Sequence, residues 1–162
     1  MKIEAEKYLF NEAVIYLGKY PATKKKIKEY LTKKVRNKKT YQKANFPENI
    51  DKDVLIDIIV SRLDTLKIIN EDHYLESMFH YYHQSLFSIR KIKNKLYQKG
   101  FDQKKVNEYI YLQLQENPEL EIGILKKYIK KKRLENLKID DLKKKLYQQS
   151  FSENSIYKMI NE

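Results

Sequence analysis

The chain has 162 residues, no cysteine, and 34 lysines and arginines against 22 acidic residues, a net charge of +12. That length holds one ordinary domain or a short array of small units. Lack of cysteine excludes a disulfide framework, a thiolate metal site and a thiol nucleophile, and no run of eighteen apolar residues offers a membrane-spanning helix.

Three glycines and three prolines are too few for the turns of a sandwich or barrel. The opening stretch MKIEAEKYLFNEAVIYLG carries acidic residues and no small-residue cleavage site, so it reads as a first helix rather than a signal peptide, and a cytoplasmic protein is expected. Thr23 is placed to cap a helix over TKKKIKEYL. The basic stretch RNKKTYQKANFPEN at 36–49 reads as a loop or as an extension of that helix, and IDKDVLIDII follows as the next helix. Asn70 is a further cap, and beyond it Leu75, Met78, Phe79 and Tyr82 follow the helical i, i+3, i+4, i+7 spacing. Ser88 caps a helix whose apolar positions are Ile89, Ile92 and Leu96. Gly100 stands where that helix must stop with positive φ, and Asp102 caps its successor. Asn117 is expected to cap a helix with Pro118 in its first position. Leu142 and Leu146 repeat the apolar step, and Ser152 caps the last helix.

Two lines of the sequence are nearly the same. Ile89–Ile110 against Ile139–Ile160, at an offset of 50, has eight of 22 positions identical, among them the run Lys95, Leu96, Tyr97, Gln98 against Lys145, Leu146, Tyr147, Gln148. Phe101 and Phe151 match in the turns, where each is expected to plug the gap between two helices. Ser150 replaces Gly100, which costs roughly 1 kcal/mol if that position is left-handed. A weaker copy begins at Thr23, at an offset of 65 from Ser88, while Ile50–Ile59 matches Phe101–Ile110 at an offset of 51, so the first copy carries an insertion of 14 residues at about 36–49. The period of about 50 residues holds three helices. The predicted architecture is all-α: an elongated, curved tandem array of three three-helix repeats over 1–65, 66–116 and 117–162, each too small to bury its apolar stripe alone.

The charge excess points to a polyanionic partner or an acidic protein surface; a solvated basic surface is the plain alternative. On the wheel of Ile89–Lys99 the apolar residues share one face, Arg90, Lys93 and Tyr97 share a flank, and Lys91 and Lys95 project from another side. Such a helix could track phosphates and stack on a base. Tyr97 can equally close the edge of the core, the reading its repetition as Tyr147 favours. Candidate contacts are therefore Arg90, Lys91, Lys93, Lys95 and Lys99, then Lys126, Lys127, Lys130, Lys131 and Arg133 in KKYIKKKR, then Arg36, Lys38, Lys39 and Lys43 in the insertion. The third copy has Asp140 and Asp141 where the second has Arg90 and Lys91, acids that suit a helix start. Tyr81, Tyr82 and Phe87 could serve as aromatic contacts to a partner, but core packing is the favoured reading. His80 and His83 share a helix face, but no cysteine and no well-placed acid completes a metal site. Gly18, Gly100 and Gly123 are too scattered for a phosphate loop, and no carboxylate pair has a spacing for acid–base work. Neither an enzyme nor a cofactor is expected.

The stretch EDHYLESMFHYYHQSLFSIRKIKNKLYQKGFDQKKVNEYI, Glu71–Ile110, resembles the central pattern of the RecX family: an acidic start, a tyrosine-anchored helix, a basic helix ending in Leu-x-x-Lys-Gly, then Phe-Asp and a closing helix. SRLDTLKIINEDHY resembles the family's preceding linker, with Lys67–Ile68 in place of the usual Gly-Tyr. The resemblance covers most of the chain and is best over 63–112. It implies a regulator that hydrolyses nothing, lies in the groove of the RecA filament on single-stranded DNA, and lowers RecA ATPase, filament extension and strand exchange; a monomer is expected. The other reading is a basic helical-repeat protein that binds DNA without a recombinase partner.

Overall fold

The structure, a computed structural model, describes residues 2–37, 39, 42, 46–47 and 49–162, and among them no strand occurs. Nine helices are defined there: α1 (Lys2–Lys19), α2 (Lys24–Arg36), α3 (Lys52–Thr65), α4 (Glu71–Gln84), α5 (Ile89–Gln98), α6 (Gln103–Glu116), α7 (Leu120–Lys132), α8 (Ile139–Gln148) and α9 (Glu153–Asn161). The all-α class is thus the observed one.

The caps follow local chemistry. Thr23, Ser88, Asp102 and Ser152 accept the N–H groups of Lys26, Lys91, Lys105 and Ser155, satisfying amides that have no partner within the helix. Asn70 accepts the His73 N–H at 3.1 Å, and Asp51 caps α3 through Asp53 and Val54. Asn117 does not cap α7. Its N–H ends α6 on the Gln113 carbonyl, and its own carbonyl takes the Leu120 N–H at 3.1 Å. Pro118 therefore lies in a turn, and α7 starts only at Leu120.

The chain forms two compact units, Met1–Tyr74 and Leu75–Glu162. In the first, α1 and α2 both pack on α3. Its core joins Leu9 of α1, Ile27 and Leu31 of α2, and Leu55, Ile59 and Leu63 of α3, all at most 1% exposed. Each such side chain contributes roughly 1.5–3 kcal/mol on burial. In the second unit α5 packs on α6, and α9 packs on α7 and α8. Ile92, Leu96, Val106, Ile110, Leu125, Leu146 and Ile156 form its buried interior.

Five helix ends share one device. Lys67, Leu86, Gly100, Arg133 and Ser150 have φ between 55° and 92°. After each comes an apolar residue (Ile68, Phe87, Phe101, Leu134, Phe151) whose N–H reaches back to the carbonyl five residues earlier, at 2.9–3.3 Å. This is the Schellman end, which satisfies orphan carbonyls and brings an apolar side chain back over the last turn. Phe101 and Phe151, 4% and 3% exposed, fill the same place 50 residues apart. Ser150, at φ 64°, adopts the left-handed conformation that glycine occupies in the second copy. Ser150→Gly is accordingly expected to raise stability by about 1 kcal/mol and Gly100→Ser to lower it similarly, read from urea unfolding midpoints.

Candidate functional site

Helix α5 is an amphipathic element with a single purpose for each side. Ile89, Ile92 and Leu96 are buried. Arg90, Lys91, Lys93 and Lys95 carry four positive charges, and the helix has no acid. Arg90, Lys93 and Lys95 have no ion pair among the described residues. Lys91 differs from them: its ammonium lies 4.5 Å from the centre of the Phe87 ring and donates to Gln149 Oε1 at 3.2 Å. Tyr97 is half-buried, and its hydroxyl donates to Asn107 Oδ1 at 2.9 Å, which agrees with a role at the core edge.

The start of α5 is held by a residue from another helix. Glu121, on the first turn of α7, is 8% exposed. Its carboxylate accepts the Ile89 N–H at 3.1 Å, the Ser152 hydroxyl at 2.5 Å and the Ser155 hydroxyl at 2.7 Å. One buried carboxylate thus receives a hydrogen bond from the first turn of α5 and two from the start of α9. These three hydrogen bonds supply the condition under which burial of a carboxylate is tolerated. Beside it, the Ser88 hydroxyl donates to the Gln149 carbonyl at 2.8 Å, tying α5 to the turn between α8 and α9.

The other predicted clusters are differently placed. Lys126, Lys127, Lys130, Lys131 and Arg133 occupy the C-terminal half of α7 and its end. Lys127 stands about 9 Å and Arg133 about 18 Å along the axis from Glu121, so this cluster is at the opposite end of α7 from the α5 contact. Cations there also complement the negative end of the helix dipole. Lys126 is ion-paired with Glu162. In the insertion, Arg36 is the last residue of α2, and the Lys39 N–H donates to Asn37 Oδ1 at 3.0 Å. Lys38 and Lys43 lie outside the described residues.

Helix α2 carries more charge than the sequence reading credited to it: seven cations and one acid, Glu29, in 13 residues. Four of the cations are paired: Lys24 with Asp64 (2.7 Å), Lys26 with Glu29 (3.0 Å), Lys28 with Asp57 (2.6 Å) and Lys34 with Glu12 (2.7 Å). The hydrogen bond from Lys26 holds the Glu29 carboxyl below its usual range, with Lys25 and Lys33 adding to the effect. Lys25, Lys33 and Arg36 have no ion pair among the described residues. Together with Lys28 and Thr32 they line a shallow, open depression on one side of the helix.

The aromatic and histidine residues of α4 divide. Tyr82, 7% exposed, is a core residue as expected; Phe87, on which it stacks with rings 5.6 Å apart, is only half-buried and closes the edge of the core. Tyr81, 61% exposed, is not core; it points away from the apolar side that buries Phe79 and Tyr82. His83 lies flat against Phe79, and burial, with Lys127 nearby, pushes its pKa below the ordinary histidine value. No group of three potential metal ligands occurs among the described residues, and no helix there is long and apolar enough to cross a membrane.

No family profile matches the chain, and no curated protein matches it in sequence. Its fold is that of two solved structures. One is RecX from Lactobacillus salivarius, at a TM-score of 0.73 and 20% identity, over 98% of this chain and 96% of that one. The other is described as regulatory protein RecX, at a TM-score of 0.70 and 18% identity, over 99% of this chain and 74% of that one.

Proposed function

We propose that the chain is a RecX-type regulatory protein that binds the RecA filament on single-stranded DNA and inhibits RecA ATPase, filament extension and strand exchange. The observation that carries the reading is the likeness of nearly the whole chain to two RecX structures. The family pattern in Glu71–Ile110 supports it from the sequence side. We further read the nine helices defined among the described residues as three repeats over 1–65, 66–116 and 117–162, with a monomer in the cytoplasm as the working form and no catalytic step of its own. Arg90, Lys93 and Lys95 are the preferred contacts, since their charge is not spent on neighbours within the chain. Lys91 then serves to hold the helix rather than the partner.

The same unpaired cations favour a second reading, in which the chain binds DNA directly and has no recombinase partner. A titration of RecA ATPase on single-stranded DNA separates the two, with an unrelated basic protein of equal charge as control. Inhibition well below one protein per recombinase, not reproduced by the control, is the expected outcome. Inhibition only at DNA-coating amounts, matched by the control, would leave the direct DNA-binding reading.

A further inference from the structure

We propose that the exposed side of α2 is a second polyanion-contact surface, built like that of α5, and that its ligand is the phosphodiester backbone of single-stranded nucleic acid. The inference rests on the filament reading for its biological setting but not for its chemistry.

The first argument is how the charge is tolerated. Cations in the first turn of a helix oppose its dipole, whose positive end is there. Helix α2 begins with Lys24, Lys25 and Lys26 and has no acid in its first turn; α5 begins with Arg90 and Lys91 and has none either. In both, a carboxylate from a later helix supplies the missing negative charge. Glu71 of α4 accepts the Lys24 N–H at 2.7 Å, and Glu121 of α7 accepts the Ile89 N–H at 3.1 Å. The two acids are 50 residues apart, the period of the repeat. Helix α8 is the internal contrast. It carries Asp140 and Asp141 in its own first turn and receives no side-chain cap. A helix whose surface has no polyanion to meet can place its acids locally, as α8 does. Helices α2 and α5 keep that turn positive and take the compensating charge from elsewhere.

The second argument concerns the ligand. Lys25, Lys33 and Arg36, with Lys28 and Thr32 between them, lie along one side of α2. The row from Lys25 to Arg36 is about 16 Å long at the helical rise. It contains no apolar side chain; Glu29 is its single acid. A stable protein–protein contact has a desolvated core in which charged residues are depleted. The Thr32 hydroxyl donates to the Lys28 carbonyl at 2.8 Å, so the contacts offered are the cations alone, carried on aliphatic stems with no apolar residue among them. Such a row suits phosphate contacts, which position a strand without reading its sequence.

The test uses the full chain with Lys25, Lys33 and Arg36 all changed to glutamine. Binding to a fluorescent oligothymidylate is followed across a salt series, beside the unaltered protein and a control with Lys143, Lys144 and Lys145 of α8 changed to glutamine. The α2 variant is expected to lose about 2 from the slope of log K against log salt, each lost phosphate contact removing about 0.7. Its affinity should fall on the order of tenfold or more at low salt. The α8 control is expected to keep its slope, and all three proteins to melt alike, because the altered side chains of α2 and α8 are outside the core. An unchanged slope in the α2 variant, an equal loss in the α8 control, or no oligonucleotide binding by the unaltered chain overturns the proposal. Slope loss without any effect of the unaltered chain on RecA ATPase removes the recombinase reading and leaves this surface standing.

Discussion

Replacing Glu121 with alanine is expected to lower stability by about 2–4 kcal/mol, a large effect for a residue outside the apolar core. Three donors lose a charged acceptor at once: the Ile89 N–H and the hydroxyls of Ser152 and Ser155. Hydrogen bonds to a charged group contribute about 1.5–3 kcal/mol each, but the losses do not add fully, since the two hydroxyls can turn elsewhere. The Ile89 N–H has less choice, because Ile89 is 8% exposed. Glu121→Gln separates charge from shape. It keeps the volume and one acceptor oxygen but places an amide N–H₂ among donors, so it should recover only part of the loss. Urea unfolding followed by circular dichroism gives both values. Loss below about 0.5 kcal/mol for alanine, or full recovery by glutamine, would mean that the carboxylate does not hold the start of α5 as described.

That latch also marks the limit of what the sequence discloses. Features fixed within four or five residues were legible. Thr23, Ser88, Asp102 and Ser152 cap because a short polar side chain next to free amides does so in any context. The apolar spacing of α5 predicted its buried side because no other segment is needed to define it. Asn117 failed as a cap because the main-chain carbonyl competed with the side chain for the Leu120 N–H, an outcome that propensity does not encode. The left-handed helix ends at Lys67, Leu86 and Arg133 carry no glycine to announce them; the apolar residue following each was the available signal. Glu121 lies 32 residues from its amide partner, so no local pattern joins them. Its 50-residue relation to Glu71 could have been found by extending the repeat alignment beyond the basic helices.

Tyr97 and Tyr147 show why identical letters need not report identical places. Tyr97 donates to Asn107, but 50 residues on the corresponding position is Tyr157, and Tyr147 is 47% exposed. Burial carries over at some apolar positions, Leu96 to Leu146, Phe101 to Phe151 and Val106 to Ile156, but not at Ile89, which is 8% exposed while the identical Ile139 is 57% exposed. Charge changes as well: Arg90 and Lys91 become Asp140 and Asp141 with the helix bounds unchanged. Both helices form, but first-turn cations oppose the helix dipole and acids complement it, so the cations of α5 need a reason other than the fold.

That reason should appear when Arg90, Lys93 and Lys95 are changed together to glutamine. The variant is expected to require at least about tenfold more protein for half-inhibition of RecA ATPase, and to lose about 2 from the salt slope of single-stranded DNA binding. Stability should hold, because none of the three is ion-paired among the described residues and glutamine is nearly as good a helix former as lysine. Lys91 is left in place on purpose. Removing it would also remove its contact with the Phe87 ring and its hydrogen bond to Gln149, so lost activity could come from a shifted helix. Pairing the ATPase titration with the salt series makes the result specific. If both fall, α5 meets the nucleic acid within the filament. If the slope falls while inhibition persists, α5 touches DNA but the regulatory contact lies on another surface. If neither changes, these cations form a solvated face, and the assignment of α5 as the contact helix is wrong.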